Sequence, residues 1–319
     1  MSRIRRLLIK SRVVAVDRHD NGVTVLSFAP IHRTTYPAHR GGAHTLVRID
    51  DHRVRPYSLC GDPSDTRWRI AVRASGIDGS ASDHLARSNR PGDHLFLSHP
   101  QERFGLDPAA TRHRFIAGGI GITPILSMLY ELRETPHSEP ARVHYFVRSR
   151  SEAVFVEELS AFDHIDLRIY SGQDADRPDA RTVADSPREG EHLYYCGPPR
   201  MMARINQVHD LWAGRAHTES FAAMPANPTS VTTNDAFDLR LLKSGRTIRV
   251  RARETPLQAL VRAGIQVDYG CGVGLCGTCV LDVGAGVVDH RDHCLTDAER
   301  ASAMAPCISR GSGTLDILL

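Results

Sequence analysis

Three cysteines fall close together in Cys271-Gly-Val-Gly-Leu-Cys276-Gly-Thr-Cys279, and a fourth, Cys307, follows at a distance. This C-x4-C-x2-C…C spacing decides what the end of the chain must fold around. Three thiolates from one tight loop and one from afar are the ligand set of a plant-type [2Fe–2S] cluster. Gly272, Gly274, Gly277 and Thr278 let backbone N–H groups crowd against the sulfurs, which stabilises an added electron. Zinc is the competing reading, but zinc ribbons use two C-x2-C knuckles and only one is present. Cys294 has no place in the spacing and is expected to be a bystander thiol, while Cys60 and Cys196 stand alone. Seven cysteines in 319 residues are too few for a disulfide scaffold. The odd number, with no secretory leader read at the start, is expected of a reducing, cytoplasmic setting.

The texture changes along the chain. Up to residue 107 there are short alternating segments, Val23–Phe28, His44–Ile49, Trp68–Arg73 and His94–Ser98, punctuated by Gly, Pro, Asn and Asp. These predict an antiparallel β-barrel or sandwich. Met1–Lys10 is basic, but Arg12–Asp17 runs on in strand-like alternation, so the start reads as the lead-in to a first strand rather than a targeting segment. From Arg112 the pattern becomes strand–helix. Arg114–Ala117 runs into glycines and a helix over Pro124–Leu132; strands Arg142–Val147 and His192–Cys196 each lead into another helical stretch. That is parallel α/β texture. Ala222–Asp235, with two prolines and no charge before its last residue, reads as a linker. After it come alternating Phe237–Leu242 and Thr247–Arg251, a helix over Pro256–Ala263, and the cysteine loop, a small α+β domain. The expected division is 1–107, 108–225, a linker 226–235, and 236–319.

Two turns and one segment of the barrel region carry further chemistry. Gly118-Gly119-Ile-Gly121-Ile-Thr123-Pro124 follows a strand and opens a helix. Glycines there let the backbone approach a pyrophosphate, and the helix N-terminus favours its charge; the third glycine of G-x-G-x-x-G is missing, and a plain tight turn is the bland alternative. Cys196-Gly197-Pro198 again ends a strand and starts a helix, at the edge where ligands bind in open α/β sheets. Arg55-Pro-Tyr57-Ser58-Leu59, followed some twenty residues later by Gly79-Ser80, reads as a flavin site. Tyr57 can stack on the ring, Ser58 can hydrogen-bond near its reactive nitrogen, and Arg55, Gly79 and Ser80 can hold a phosphate.

The order of these motifs resembles the ferredoxin-reductase-like flavoproteins. With the C-terminal cysteine domain, the whole chain resembles the phthalate dioxygenase reductase family. Glu219-Ser-Phe221 and His290-Arg-Asp292 match the family as well. Two positions depart from it: Glu102 stands where Asn is common, and one glycine, Gly79, precedes Ser80 where two are usual. The resemblance implies a multidomain protein: an antiparallel Greek-key barrel binding FMN rather than FAD, an α/β domain with a parallel sheet binding NADH rather than NADPH, and a β-grasp ferredoxin domain around the cluster. It also implies an NAD(P)H-dependent oxidoreductase that takes hydride from NADH onto FMN. Single electrons then pass through the cluster to a terminal oxygenase. Ser58, Cys196 and Glu219 would border the nicotinamide–flavin contact, with Phe221 packing near the ring. Arg148 and Arg150 follow the second α/β strand, where they could meet a 2′-phosphate, or form an ordinary solvated loop.

The partner is expected to be a Rieske-type oxygenase that hydroxylates an aromatic ring or removes an O-methyl group. A haem monooxygenase is the alternative, and a redox-sensing iron–sulfur protein a more distant one. A net charge of +3 gives no reason to expect nucleic acid. Lys10 and Lys243 are the only lysines among 40 Lys and Arg residues, a bias that weakens any argument from a single arginine. No stretch approaches the roughly 18 apolar residues of a membrane span. A monomer is expected, and the histidines show no metal-ligand spacing.

Overall fold

In the computed structural model, residues 8–49, 54–77, 80–135, 139–221 and 235–269 are described, with 272, 274, 277–292, 294–295 and 297–319 beyond them. Contacts divide the chain into two compact units. One takes in the described residues of Met1–Arg48 and Tyr57–Phe221, the other those of Ile49–Pro56 and Ala222–Leu319.

Six strands build the first sheet: β1 (Leu8–Arg18), β2 (Val23–Pro30), β3 (His44–Arg48), β4 (Val54–Ser58), β5 (Trp68–Arg73) and β6 (His94–Ser98). Their order is β4-β3-β6-β1-β2-β5, and the pairings β1–β2, β1–β6, β2–β5 and β3–β6 are antiparallel. Because β6 enters between β3 and β1, the path is a Greek key rather than a meander. Just past β4, Leu59 bridges Ile70 and the Cys60 amide donates to the Arg69 carbonyl at 2.9 Å. The two ends of the sheet thereby meet, which removes open edges. All four expected segments form strands, and β4, which alternation did not reveal, carries Arg55, Tyr57 and Ser58. A short helix, α1 (Ala81–Ser88), follows β5.

The second sheet is wholly parallel. Its strands are β7 (Arg112–Gly118), β8 (Ala141–Val147), β9 (Ile165–Ser171), β10 (Glu191–Cys196) and β11 (Ala216–Glu219), in the order β11-β10-β7-β8-β9. Helices α2 (Ile122–Arg133), α3 (Val156–Ser160), α4 (Ala180–Ala184) and α5 (Pro199–Asn206) connect them. The strand order reverses between β7 and β10, which opens a crevice at their carboxyl ends. The predicted helix over Pro124–Leu132 begins two residues earlier, at Ile122. Two strands had not been foreseen. β9 is an edge strand whose exposed positions include Asp166, and β11 is only four residues long.

The two faces of β10 serve different cores. Leu193 and Tyr195 pack with Met202, Ile205 and Trp212 under α5. Tyr194 and Cys196 face the other way, into a core shared by α2 and the barrel, where Val23, Val25, Cys60, Ala71 and Phe104 meet Phe115, Ile125 and Leu129. Cys60 thus has a role in packing, and burial pushes its thiol up to about 12. Beneath this sheet Arg114, almost fully buried, donates to Glu191 Oε2 at 2.8 Å and to the carbonyls of Val183 and Ser186 at 2.6 and 2.7 Å. Its guanidinium also lies 5.2 Å from the Trp212 ring centre. Glu191 is bonded by Arg142 as well, on its other oxygen. Burial alone would raise the Glu191 carboxyl, but the hydrogen bonds from Arg142 and the Arg188 amide and the charges of Arg114 and Arg142 hold it below its usual value. Burial lowers Arg114 too, yet a guanidinium keeps its proton.

At the crevice the turns after β7 and β10 touch backbone to backbone. A Cβ on Gly121 would lie 2.3 Å from the Cys196 carbonyl oxygen, and one on Gly197 would lie 3.0 Å from the Gly118 Cα. A Cβ on Gly118 would meet Pro198 Cδ at 2.5 Å. These three glycines answer to close approach. Gly119 is different: its φ is +54°, and a Cβ there would meet nothing within 4 Å.

The second unit is an α+β fold. β12 (Phe237–Leu241), β13 (Thr247–Val250), β14 (Leu281–Asp289), β15 (Ala303–Met304) and β16 (Arg310–Ile317) form a sheet in the order β13-β12-β16-β14-β15. β12 runs parallel to β16 and the other pairs are antiparallel, the mixed pattern of a β-grasp. Helix α6 (Pro256–Arg262) starts on a capping box, with Thr255 Oγ1 accepting from the Gln258 amide and the Thr255 amide donating in turn to Gln258 Oε1. Ala259 and Leu260 of α6 join Phe237, Leu239, Leu281 and Leu315 in the core. A last short helix is α7 (Asp297–Arg300).

Two predictions test this architecture. Glu191→Gln removes the counter-charge of a buried guanidinium and should cost about 3–5 kcal/mol at neutral pH. Since the folded carboxyl titrates below its unfolded value, this difference is full above about pH 4.3 and shrinks as pH falls through the folded value. Thermal melting of both proteins from pH 7 to pH 3.5 reads it, and a pH-independent gap would refute the assignment. Gly121→Ala should lose about 2 kcal/mol or more through overpacking, whereas Gly119→Ala should lose only about 1 kcal/mol through its left-handed φ. Equal losses would mean that the backbone contact is not what Gly121 answers to.

Candidate redox site

The crevice gathers side chains from four strands. Cys196 ends β10 and is in register with Ala117 of β7 and Glu219 of β11. Ser58, the last residue of β4, donates from Oγ to Glu219 Oε2 at 3.0 Å. The other carboxylate oxygen, Oε1, lies 3.5 Å from His44 Nδ1. Ser58, Cys196 and Glu219, expected together, are together. His44 at the start of β3 was missed, because a histidine in an alternating segment gives no sign of which face it takes. It is 5% exposed, and among the described residues neither ring nitrogen has a hydrogen-bond partner. Buried imidazole nitrogens without partners beside a buried serine and a carboxylate fit a polar ring edge, as a flavin would supply. Burial, reinforced by the Glu219 carboxylate, pushes the Cys196 thiol well above its ordinary value, so it stays a thiol and is no nucleophile.

Around this centre the remaining expected residues take varied places. Tyr57 is half-buried on β4, and the Phe221 ring is 44% exposed just beyond β11. Arg55, also on β4, donates from Nη1 to the Val54 carbonyl at 2.9 Å. Gly79 lies outside the described residues. Ser80 is the N-cap of α1: its Oγ accepts from the Asp83 amide at 3.1 Å and lies 2.7 Å from Ser75 Oγ. The open space over Gly119, between the two tight turns, fits an approaching pyrophosphate. Thr123 is buried and donates from Oγ1 to the Ile120 carbonyl at 2.9 Å, so its hydroxyl braces the turn. Pro198 caps α5 and packs on Gly118. Arg150 is paired with Asp174 at 3.2 Å, and Arg148, largely exposed, lies 3.9 Å from Glu152. Glu102 accepts from the Arg40 amide at 3.0 Å.

In the second unit Cys279 and Cys307 are buried in one small apolar cluster with Leu257, Leu295, Ala303 and Ala305. Cys271 and Cys276 lie outside the described residues. Gly272, Gly274 and Gly277 all have φ near +70°, at 71°, 72° and 66°. Backbone N–H groups in such turns can form anion-binding concavities. A Cβ on Gly274 would lie 3.0 Å from the Asp292 Cα, so Gly274 itself sits tightly on the His290-Arg-Asp292 segment. Buried thiols beside a left-handed glycine loop fit a thiolate-held iron–sulfur cluster. Asp292 organises that segment, accepting from Ser309 Oγ at 2.9 Å and the Leu295 amide at 3.1 Å. Burial would raise its carboxyl, but these bonds, His290 and the Arg300 charge hold it low. Cys294 Sγ lies 3.8 Å from Asp292 Oδ2 and packs in the same apolar cluster as Cys279 and Cys307, closer to those two cysteines than its spacing suggested.

Comparison with known proteins follows the same division. Residues 115–207 match the oxidoreductase NAD-binding domain, and residues 239–310 the 2Fe-2S iron-sulfur cluster binding domain. The chain is 35% identical to the heme-dependent oxidative N-demethylase beta subunit of Ectopseudomonas mendocina, over 96% of this chain and 97% of that one. It is 34% identical to the vanillate O-demethylase oxidoreductase of Pseudomonas sp. strain HR199, over 99% of both. The solved structure of phthalate dioxygenase reductase, described as modular for electron transfer from pyridine nucleotides to [2Fe-2S], matches with a TM-score of 0.71 and 29% identity over 98% of each chain. No helix among the described residues is long and apolar enough to cross a membrane. With its flavin-type barrel, NAD-binding sheet and iron–sulfur domain in the same order and over nearly the full length, the chain belongs to the phthalate dioxygenase reductase family of NAD(P)H-dependent oxidoreductases.

Proposed function

We propose that this chain is the reductase component of a multicomponent oxygenase. In this reading it draws reducing equivalents from NADH and passes them singly to a Rieske-type oxygenase that hydroxylates an aromatic ring or removes an O-methyl group. The observation that carries the reading is the convergence of Ser58, Cys196 and Glu219 in the crevice of the parallel sheet. When bound, the cofactors supply the chemistry, hydride acceptance at a flavin and one-electron transfer at an iron–sulfur cluster.

The protein orients and insulates them. With its proton committed to Glu219 Oε2, Ser58 Oγ would present its lone pairs to a bound flavin near the reactive nitrogen. Cys196, kept neutral, would offer a polarisable apolar surface bordering the nicotinamide–flavin contact. Tyr57 and Phe221 cover ring faces; Arg55, Gly79 and Ser80 hold a phosphate, helped by amides of the first turn of α1 that have no intrahelical acceptor. Gly118, Gly119, Gly121, Thr123, Gly197 and Pro198 shape the pyrophosphate turn. Cys271, Cys276, Cys279 and Cys307 hold the cluster.

NADH rather than NADPH is supported by Asp174 and Glu152, which engage Arg150 and Arg148 where a 2′-phosphate would need them. The order of modules supports FMN rather than FAD, and the division 1–107, 108–225, 226–235 and 236–319. A haem-type oxygenase is the second reading of the partner, favoured by the heme-dependent demethylase subunit among the relatives. The buried thiols of Cys60 and Cys196, neither in a disulfide, suit the cytoplasm, and the chain is taken to act as a monomer.

Anaerobic titration with NADH and NADPH, followed by absorption and EPR, tests the reading. It should bleach one flavin per chain, yield one rhombic cluster signal, and saturate at lower concentration with NADH. Absence of the cluster signal from fully assembled protein would overturn it. Ser58→Ala and Glu219→Gln should each slow NADH-driven flavin reduction by about ten- to a hundredfold in stopped-flow experiments, the scale of losing one positioned hydrogen bond. Unchanged rates in both would remove these residues from the site.

A further inference from the structure

A second cluster of donor atoms lies on the Cys196 face of β10, remote from the iron–sulfur domain in sequence. His192 and Tyr194 precede Cys196 on that face, and β11 sets His217 beside Tyr194 as it sets Glu219 beside Cys196. His192 Nδ1 and His217 Nε2 share a hydrogen bond at 3.0 Å, the nearly parallel rings meeting edge to edge with centres 5.3 Å apart, and an ion between them would replace the shared proton. Asp107, in the connection leading into β7, places Oδ2 at 3.8 Å from the first nitrogen and 3.9 Å from the second.

These three separations define a triangle whose centre is about 2.1 Å from each atom, the bond length of zinc to imidazole nitrogen and carboxylate oxygen. The donors are also held in place. Asp107 Oδ1 accepts from the Ala109 amide at 2.8 Å, and the Asp107 amide donates to Tyr194 Oη at 3.0 Å. His217 stacks on Tyr194 with centres 4.8 Å apart and planes 15° from parallel. Such outer contacts are what fix ligand orientation in metal sites.

We propose that Asp107, His192 and His217 form a binding site for a divalent first-row transition ion, with Zn2+ as its occupant and water completing the coordination. Two imidazoles and one carboxylate with an open position suit such an ion and are poor for Ca2+ or Mg2+. The ligands come from three segments: the connection before β7, the start of β10 and the middle of β11. An ion there ties β11 down two residues before Glu219. The site is independent of the hydride-transfer reading. Nothing in the linear sequence announces it, since its residues are far apart along the chain.

The test uses the full chain with its flavin and cluster, dialysed to equilibrium against micromolar ZnCl2, with zinc and iron counted per chain by mass spectrometry. The expected result is one zinc per chain with the iron count unchanged, and a melting temperature that rises with zinc. His192 is almost fully buried and its replacement endangers folding. The partly exposed His217 and Asp107 are therefore the positions to change. His217→Ala should weaken zinc binding at least a hundredfold and Asp107→Asn at least tenfold, with the melting shift lost. Zinc bound equally by wild type and His217→Ala, zinc gained only as iron is lost, or no zinc at all would each overturn the site.

Discussion

Everything at the crevice depends on two strand ends touching through bare backbone. β7 and β10 are neighbours in a parallel sheet, and each must turn sharply into a helix at the same level. Gly118, Gly121 and Gly197 let those turns meet with atoms where side chains would otherwise collide. Once they meet, Cys196 is fixed, and the register of β11 brings Glu219 alongside it. The barrel then contributes Ser58 through one hydrogen bond. A glycine motif usually read as a phosphate cradle is here, first, the condition for two strands to end together. Only Gly119 faces open space.

The electrostatics below the crevice follow a different logic. Arg114 and Glu191 are buried on adjacent strands, and each finds further partners, carbonyl oxygens for the guanidinium and a second arginine for the carboxylate. A buried pair so fully satisfied avoids the usual penalty of an uncompensated charge and holds the amino ends of β7 and β10 in line. The sheet is thus clamped by charge at one end and by glycine contact at the other.

Much of this was legible in the sequence because the signals were local. The cysteine spacing, the glycine turn, the Cys-Gly-Pro turn and Arg55-Pro-Tyr-Ser each lie within a few consecutive residues. Alternation found five of the six barrel strands and not β4, whose residues are read from their chemistry instead. It missed β9, whose edge position leaves Asp166 and neighbouring side chains half in water, and β11, too short to show a period. His44 escaped because its meaning depends on Glu219, far along the chain. Cys60 and Cys294 were left without roles for the same reason: one packs between barrel and sheet, the other beside the cluster cysteines, and neither placement is written in its neighbours.

The core that the barrel shares with the α/β sheet bears on how such reductases can be recombined. Val23, Val25, Cys60, Ala71 and Phe104 are shaped against Phe115, Ile125, Leu129 and Tyr194. A chimaera taking its flavin barrel from one relative and its nucleotide domain from another would bring together two half-cores never fitted to each other. Exchange across this seam therefore needs both halves moved as a single cassette.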